Sequence, residues 1–246
     1  MKLETPRFWE VDGVRGIAVI MMIVYHIFFD INFLQIAPIY LTSFAFQLFL
    51  YPIGSLFLLV VGISLVLSFQ IFEKNHQSIP PFSKYFWRGV FLLIVALLIT
   101  FVTWIYPHKG FIVFGVIHCI SISIILSYWF IKRPTVSLIM GSIIIGVGIV
   151  FMQITVKNPY LFWLGLRSSG FDSLDYFPLF PWFGVVLIGL FVGTYLYPLL
   201  QKKYRVPQIM PKIVYPVVFL GKHALVIYII HQPILFGFIY LILLFL

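Results

Sequence analysis

The feature that most constrains this chain is a series of seven long apolar runs separated by polar or turn-forming segments. The runs are approximately Gly16–Phe29, Tyr51–Ile71, Phe86–Tyr106, Phe111–Ile131, Val136–Val156, Leu179–Leu200 and His223–Leu246. A helix of about 20 mainly apolar residues crosses the ~30 Å hydrocarbon core of a bilayer and satisfies its own backbone hydrogen bonds there. The pattern predicts an all-α, polytopic integral membrane protein with about seven transmembrane helices. Two further apolar stretches, Ile39–Leu50 and Val214–Leu220, predict extra short or re-entrant helices or extensions of their neighbours.

The composition excludes a soluble domain. Of 246 residues, 62% are hydrophobic and 9% are charged, whereas a soluble domain carries about 25% charged residues. No polar region is long enough for a second domain, so residues 1–246 are predicted to form a single transmembrane domain. The one cysteine, Cys119, excludes an internal disulfide and is interpreted as a packing residue.

The net charge of +9 is explained by membrane topology and not by nucleic-acid binding. With the N-terminus inside, 13 Lys and Arg residues fall in the inner segments. Only Lys109, Lys157 and Arg167 fall in the outer segments. Cytoplasmic loops are enriched in Lys and Arg, so the chain is predicted to lie in the cytoplasmic membrane with its N-terminus inside and its C-terminus outside.

Three ionisable residues share one face of the first predicted helix. Arg15 and His26 are eleven residues apart, which places them within ~20° of each other and ~16 Å apart along the axis, and Asp30 lies one turn beyond His26. Ionisable residues within a span are costly to bury and usually functional. We interpret His26 as a general base that Asp30 orients, and Arg15 as a ligand for phosphates of an incoming molecule. The alternative is that Arg15 extends to the interface and Asp30 caps a helix end.

Other polar residues fall at similar depths or at the same membrane surface as this stripe. His118 and His231 are each about two turns inside a predicted helix, and both are candidates for substrate or supporting contacts. No metal is predicted, because no ligand-spacing pattern such as H-E-x-x-H is present. Arg88 and Lys222 lie at helix starts on the inner side, where they either join Arg15 in binding an anionic ligand or reflect topology alone.

The segment before the sixth long run is a candidate substrate-facing wall. It reads Asp175-Tyr176-Phe177-Pro178-Leu179-Phe180-Pro181-Trp182-Phe183-Gly184. Asp175 is the candidate polar contact there. An ordinary aromatic belt at the interface is the alternative interpretation.

Several motifs together resemble a known family. They are the opening Arg7-Phe8-Trp9-Glu10-Val11-Asp12-Gly13-Val14-Arg15-Gly16-Ile17-Ala18, then Phe114-Gly115-Val116-Ile117-His118, the Asp175–Gly184 segment, Leu220-Gly221-Lys222-His223-Ala224-Leu225-Val226-Ile227-Tyr228, and His231-Gln232-Pro233. The set resembles the heparan-alpha-glucosaminide N-acetyltransferase catalytic-domain family, in a transmembrane acyltransferase superfamily. The spacing of Arg15 and His26 is also similar to the signature of the acyltransferase-three proteins, which modify cell-envelope sugars.

The resemblance implies an acyl-CoA-dependent membrane O- or N-acyltransferase. It implies transfer of an acyl group, usually acetyl, from cytoplasmic acetyl-CoA to a glycan or amino-sugar acceptor on the other side. On this basis His26 is the catalytic candidate and Arg15 a donor-site residue. The lysosomal branch has Asn where this chain has His26 and carries its catalytic His in the following luminal segment. Residues 30–50 contain no His here, so catalysis is expected to fall to His26 or to another intramembrane histidine.

Two other functional classes remain as alternatives. A proton-coupled membrane transporter would also use intramembrane His and Asp residues, although the chain shows no internal repeat. A non-catalytic membrane scaffold would leave the ionisable stripe unexplained. The expected partners are acyl-CoA, an extracytoplasmic sugar and membrane lipid; no nucleic acid is expected, and self-association as a homo-oligomer is left open.

Overall fold

The computed structural model describes residues 8–40, 43–204 and 210–245. Over these residues the chain is almost entirely helical. The helices are α1 (Trp9–Phe33), α2 (Phe44–His76), α3 (Phe82–Ile105), α4 (Val116–Ser127), α5 (Pro134–Phe151), α6 (Leu179–Phe191), α7 (Tyr197–Tyr204), α8 (Tyr215–Lys222) and α9 (Ala224–Leu244). A π-helical turn, Val192–Leu196, joins α6 to α7 without a break.

Six helical segments in the described ranges are long and apolar enough to cross a membrane. They are Trp9–Phe33, Leu48–His76, Phe82–Ile105, Pro134–Phe151, Leu179–Lys202 and Ala224–Leu244. The fourth predicted run forms only the 12-residue α4, which is about 18 Å long and too short to cross the hydrocarbon core alone. The prediction of an all-α polytopic membrane protein is confirmed, with six long apolar helices and one shorter one.

The end of the first helix and the two further apolar stretches form parts of helices. The first helix continues past Asp30 to Phe33. The stretch 39–50 contributes the start of α2, which runs through Pro52 as one helix. The stretch 214–220 forms most of α8, a separate short helix that ends at Lys222 immediately before α9. His223 alone separates the two helices.

The chain divides into two compact units. The central unit lies between Leu58 and Val206, and the terminal unit combines Arg7–Phe57 with Pro207–Leu246. That residues 1–246 form one domain stays a prediction.

The central unit is built on two helix pairs, α3 with α4 and α5 with α6. Small residues allow a close crossing of α5 and α6. A Cβ on Gly141 would lie 2.9 Å from the Gly184 carbonyl oxygen, and one on Gly184 would lie 2.6 Å from the Gly141 carbonyl oxygen. In lipid, where apolar side chains gain little from leaving the solvent, such close backbone packing is a main source of helix association. After α5 the chain forms a short parallel pair, β1 (Thr155–Val156) with β2 (Arg167–Ser168), around a 3-10 helix, Pro159–Leu164.

The terminal unit packs α1 against both α8 and α9. Its helices come from the two ends of the sequence, so residues more than 200 positions apart become neighbours. The ionisable stripe of α1 lies in this unit.

Candidate active site

The crossing of α1 and α8 depends on two glycines, Gly16 and Gly221. A Cβ on Gly16 would overlap the Val217 carbonyl oxygen, and a Cβ on Gly221 would overlap the Asp12 carbonyl oxygen. Both glycines are buried. Any side chain at either position would therefore separate the two backbones, and the crossing fixes where the carboxyl end of α8 meets α1.

Arg15 lies at this crossing. Its Nη1 donates to the Asp12 carboxylate at 2.6 Å and to the Gly221 carbonyl oxygen at 3.4 Å, and its side chain is 23% exposed. Lys222 follows Gly221 directly and is exposed. Two of the three residues predicted to bind the donor are thus brought together, and Asp12, which the sequence analysis did not single out, is the anchor of Arg15. The (i, i+3) spacing of Asp12 and Arg15 was the available signal.

His26 and His231 form an edge-to-face pair between α1 and α9. Their ring centroids are 4.6 Å apart, with planes inclined at 78°. The Nδ1 of His26 lies 2.9 Å from the Met22 carbonyl oxygen, and the Nδ1 of His231 lies 2.7 Å from the Tyr228 carbonyl oxygen. A carbonyl oxygen only accepts hydrogen bonds, so each neutral ring carries its hydrogen on Nδ1 and a lone pair on Nε2. His231 Nε2 is buried with no hydrogen-bond partner among the described residues.

Asp30 contacts α9 one turn further along α1. It is fully buried, and its Oδ1 accepts a hydrogen bond from Gln232 Nε2 at 2.5 Å. The other two oxygens of this pair, Asp30 Oδ2 and Gln232 Oε1, are buried with no partner in the described part of the chain. In the structure, then, the Met22 carbonyl holds the His26 ring, and Gln232 holds the carboxyl group that was predicted to orient it. Gln232 belongs to the His231-Gln232-Pro233 motif but was not chosen as a site residue.

His118 has a different environment, in the central unit. Its Nδ1 accepts the Gly115 backbone N–H at 3.1 Å, and its Nε2 lies 3.3 Å from Thr100 Oγ1. Because Thr100 donates its own hydrogen to the Ile112 carbonyl oxygen at 2.7 Å, it accepts from His118 Nε2–H. Both nitrogens of His118 are therefore used in fixing the segment before α4, and neither offers a lone pair to a substrate.

Asp175 also contacts the start of α4. Its Oδ2 accepts the Val116 backbone N–H at 3.0 Å. A carboxylate at this position satisfies one of the unpaired N–H groups at a helix N-terminus and interacts favourably with the helix dipole. His118 and Asp175 thus both contact the start of α4. Arg88 belongs to the same unit and is exposed in the second turn of α3.

The segment containing Asp175 is joined to the segment before α4 by backbone pairing. Phe177 N–H donates to the Phe114 carbonyl oxygen at 2.9 Å, and the Tyr176 hydroxyl donates to the Phe162 carbonyl oxygen at 2.7 Å. Burial raises the pKa of Tyr176 to about 12, so its hydroxyl stays protonated and remains a donor. These bonds join the segments that precede α4 and α6 to each other and to the 3-10 helix.

No group of three or more His, Cys, Asp or Glu side chains within residues 8–40, 43–204 and 210–245 is arranged to hold a metal ion. Cys119 is buried, with its Sγ 3.8 Å from Ser123 Oγ. This cysteine is a buried packing residue on α4.

Comparison with known families gives one match over most of the chain. The family described as "Heparan-alpha-glucosaminide N-acetyltransferase, catalytic" matches residues 7–233. The matched range includes the crossing of α1 and α8, the His26–His231 pair and the Asp30–Gln232 pair. Comparisons with curated proteins and with solved structures gave no significant match.

Proposed function

This chain belongs to the heparan-alpha-glucosaminide N-acetyltransferase catalytic-domain family, and we propose that it transfers an acetyl group from acetyl-CoA to an amine of a sugar, with His26 as the general base. The family consists of multi-pass membrane acetyltransferases that use acetyl-CoA as donor. The observation that carries the assignment of the base is the 2.9 Å contact between His26 Nδ1 and the Met22 carbonyl oxygen, which assigns the ring hydrogen to Nδ1. The Met22 carbonyl holds its Nδ1 hydrogen, which leaves the Nε2 lone pair to take a proton.

One base is sufficient for this reaction, because His26 takes one proton and then returns it. The acceptor nitrogen attacks the thioester carbonyl carbon while His26 Nε2 removes one of its hydrogens, and the new C–N bond forms. The C–S bond breaks, and the imidazolium returns the proton to the CoA thiolate, which leaves as the thiol. His26 ends the cycle neutral, ready for the next turnover.

The family match favours an amine over an alcohol as acceptor, because the family is described as an N-acetyltransferase. His26 would take the amine proton at Nε2, since its Nδ1 contacts the Met22 carbonyl oxygen. His231 Nε2 is buried, so His231 supports the His26 ring by edge-to-face contact and does not bind the acceptor.

Arg15 and Lys222 are the residues of the terminal unit best suited to the phosphates of acetyl-CoA. Guanidinium and ammonium groups form charge-assisted hydrogen bonds with phosphate oxygens. Asp12 and the Gly221 carbonyl hold Arg15 Nη1, which orients a planar group that has five N–H donors in all. Arg88 is exposed on α3 in the other unit, and its part in donor binding stays a prediction from the sequence.

Replacing Arg15 with alanine is expected to weaken CoA binding about 10- to 100-fold, the loss typical of a hydrogen-bonded charged group. Isothermal titration calorimetry of CoA into purified protein would measure it. Lys157→Ala is the matched control, because it removes one exposed positive charge on the predicted opposite side. Equal CoA affinities for wild-type protein and Arg15→Ala would remove Arg15 from the donor site.

The proposed direction of transfer requires acetyl-CoA on the cytoplasmic side and the sugar on the other. The excess of Lys and Arg in alternate loops supports a cytoplasmic N-terminus and an external C-terminus. A reporter enzyme that works only in the cytoplasm is therefore expected to be inactive when fused after Leu246 and active when inserted between Lys132 and Pro134. The odd number of crossings counts α4 together with its flanking segments, because Lys132 after α4 contacts Glu73 near the end of α2. Strong activity of the C-terminal fusion would contradict that number.

A proton-coupled carrier is the second candidate, because a membrane-embedded pair of histidines next to a buried carboxyl group also suits a proton relay. Purified protein discriminates the two. An acetyltransferase binds acetyl-CoA and forms CoA thiol in the presence of an amino sugar, whereas a carrier does neither.

A further inference from the structure

The Asp30–Gln232 pair has an unusual balance of donors and acceptors. Only one hydrogen bond joins the two side chains, from Gln232 Nε2 to Asp30 Oδ1. The two remaining oxygens, Asp30 Oδ2 and Gln232 Oε1, are both buried acceptors without a donor among the described residues. A buried polar atom without a partner is costly, and a buried unpaired charge is costlier still. Asp30 has no exposed surface and lies within a membrane-spanning helix.

We propose that Asp30 is a neutral carboxylic acid that donates from Oδ2 to Gln232 Oε1, and that this acid–amide pair is the positioning clamp of the His26–His231 site. A single proton then satisfies both unpaired oxygens. The carboxyl group and the carboxamide face each other through two antiparallel hydrogen bonds, and no charge remains in the membrane interior. The clamp is inferred from the Gln232–Asp30 hydrogen bond and the two buried oxygens that lack a donor; its catalytic importance rests on the proposed function.

The clamp joins α1 to α9 next to the histidine pair. Asp30 follows His26 by one helical turn, and Gln232 follows His231 directly, so the clamp joins the same two helices as the histidine pair. Pro233 comes next within α9. Proline lacks the N–H that would bond the Ile229 carbonyl oxygen, which weakens the helix locally. A paired side-chain contact across to α1 compensates by holding this part of α9, and therefore His231, against His26.

A neutral Asp30 has a consequence for the chemistry. It cannot stabilise the His26 imidazolium as a carboxylate would. The positive charge that develops on His26 during proton transfer is then stabilised by the Met22 carbonyl oxygen at Nδ1, and Asp30 acts only through position. This separates it from the carboxylate of a Ser-His-Asp arrangement, which stabilises the imidazolium directly.

Infrared difference spectroscopy of the lipid-reconstituted protein tests the protonation state without reference to activity. The wild type is expected to show the carbonyl stretch of a protonated carboxylic acid, and Asp30→Asn is expected to lack it. Asp175→Asn is the control, since that carboxyl group accepts a backbone N–H and should contribute no such band. The chain has only seven Asp and Glu residues, which keeps the spectrum simple. A wild type without the band, or a band that survives Asp30→Asn, would overturn the proposal.

Turnover of the same variants tests the positioning role. Asparagine can form the same two hydrogen bonds with Gln232, so Asp30→Asn should keep acetyl transfer within about twofold of the wild type. Asp30→Leu and Gln232→Leu each leave the other side chain without its hydrogen-bond partner. Acetyl transfer by these two variants should be slower than in the wild type by about tenfold or more. CoA affinity should stay unchanged in all three, because Arg15 lies ~22 Å away along α1.

Asp30→Asn turning over as slowly as Asp30→Leu would mean that a carboxylate is required, and the clamp would be wrong. That result is distinct from failure of the proposed function. If no variant and no wild-type preparation transferred acetyl, the function would fail while the infrared band still decided the state of Asp30.

Discussion

Alanine in place of His26 is expected to reduce acetyl transfer by about 10²- to 10⁴-fold, the contribution typical of a positioned general base. The reason is that His26 presents an Nε2 lone pair beside His231, while its Nδ1 hydrogen is held by the Met22 carbonyl oxygen. The substitution removes the base and leaves the α1–α8 crossing intact, so CoA should still bind. Single-turnover transfer from radiolabelled acetyl-CoA to an amino-sugar acceptor, with CoA affinity measured in parallel, separates the two effects.

His76→Ala is the matched control for this experiment. The Nδ1 of His76 also contacts the carbonyl oxygen four residues earlier, at 3.1 Å from Phe72, but the side chain is exposed at the end of α2. It should transfer acetyl at the wild-type rate. His118→Ala should lower the yield of folded protein instead, because it leaves the Gly115 N–H without its acceptor. A fully active His26→Ala together with an inactive His231→Ala would assign the base to α9.

Leucine in place of Gly221 is expected to prevent the terminal unit from folding. Even the Cβ of a residue at this position would overlap the Asp12 carbonyl oxygen, a backbone atom that cannot rotate away. Overpacking of this kind typically costs about 1–3 kcal/mol or more, and in lipid few other forces hold the helices together. We expect a marked fall in the yield of monodisperse protein in detergent and in its thermal midpoint, with loss of CoA binding because Arg15 loses the Gly221 carbonyl.

Gly237→Leu provides the matched control. Gly237 lies in α9, and an added Cβ there would meet no atom within 4 Å. This variant should be purified and should bind CoA as the wild type does. Equal thermal midpoints for Gly221→Leu and Gly237→Leu would show that α1 and α8 do not cross as closely as described.

The sequence alone determined the class of fold, because local hydropathy decides which segments enter a bilayer. The runs that became α3 and α9 were located to within four residues, whereas α1 begins seven residues before its predicted run and α5 ends five residues before the end of its run. The short α8 was anticipated as a separate apolar piece. The fourth run was overestimated. Its apolar flanks made the run long enough to span, but the structure forms a helix only over Val116–Ser127. The segment before this helix is not helical, and its Phe114 carbonyl oxygen accepts a hydrogen bond from the Phe177 N–H.

Helical periodicity likewise located the stripe of Arg15, His26 and Asp30, since residues on one helix face follow from spacing alone. What each residue contacts did not follow. The sequence predicted that Asp30 contacts His26. In the structure Asp30 accepts a hydrogen bond from Gln232, and the His26 ring contacts the His231 ring. The sequence favoured His26 as the catalytic histidine and kept His118 and His231 as supporting candidates, and in the structure both nitrogens of His118 make hydrogen bonds.

Only tertiary structure decided these contacts, and the reason is physical. In lipid, apolar faces of different helices are nearly equivalent, so hydropathy carries little information about which helices pack together. That choice depends on shape, such as the close crossing at Gly16 and Gly221, and on a few buried polar pairs. The residues that join α1 to α8 and α9 are about 200 positions apart in sequence, and no local pattern encodes their pairing.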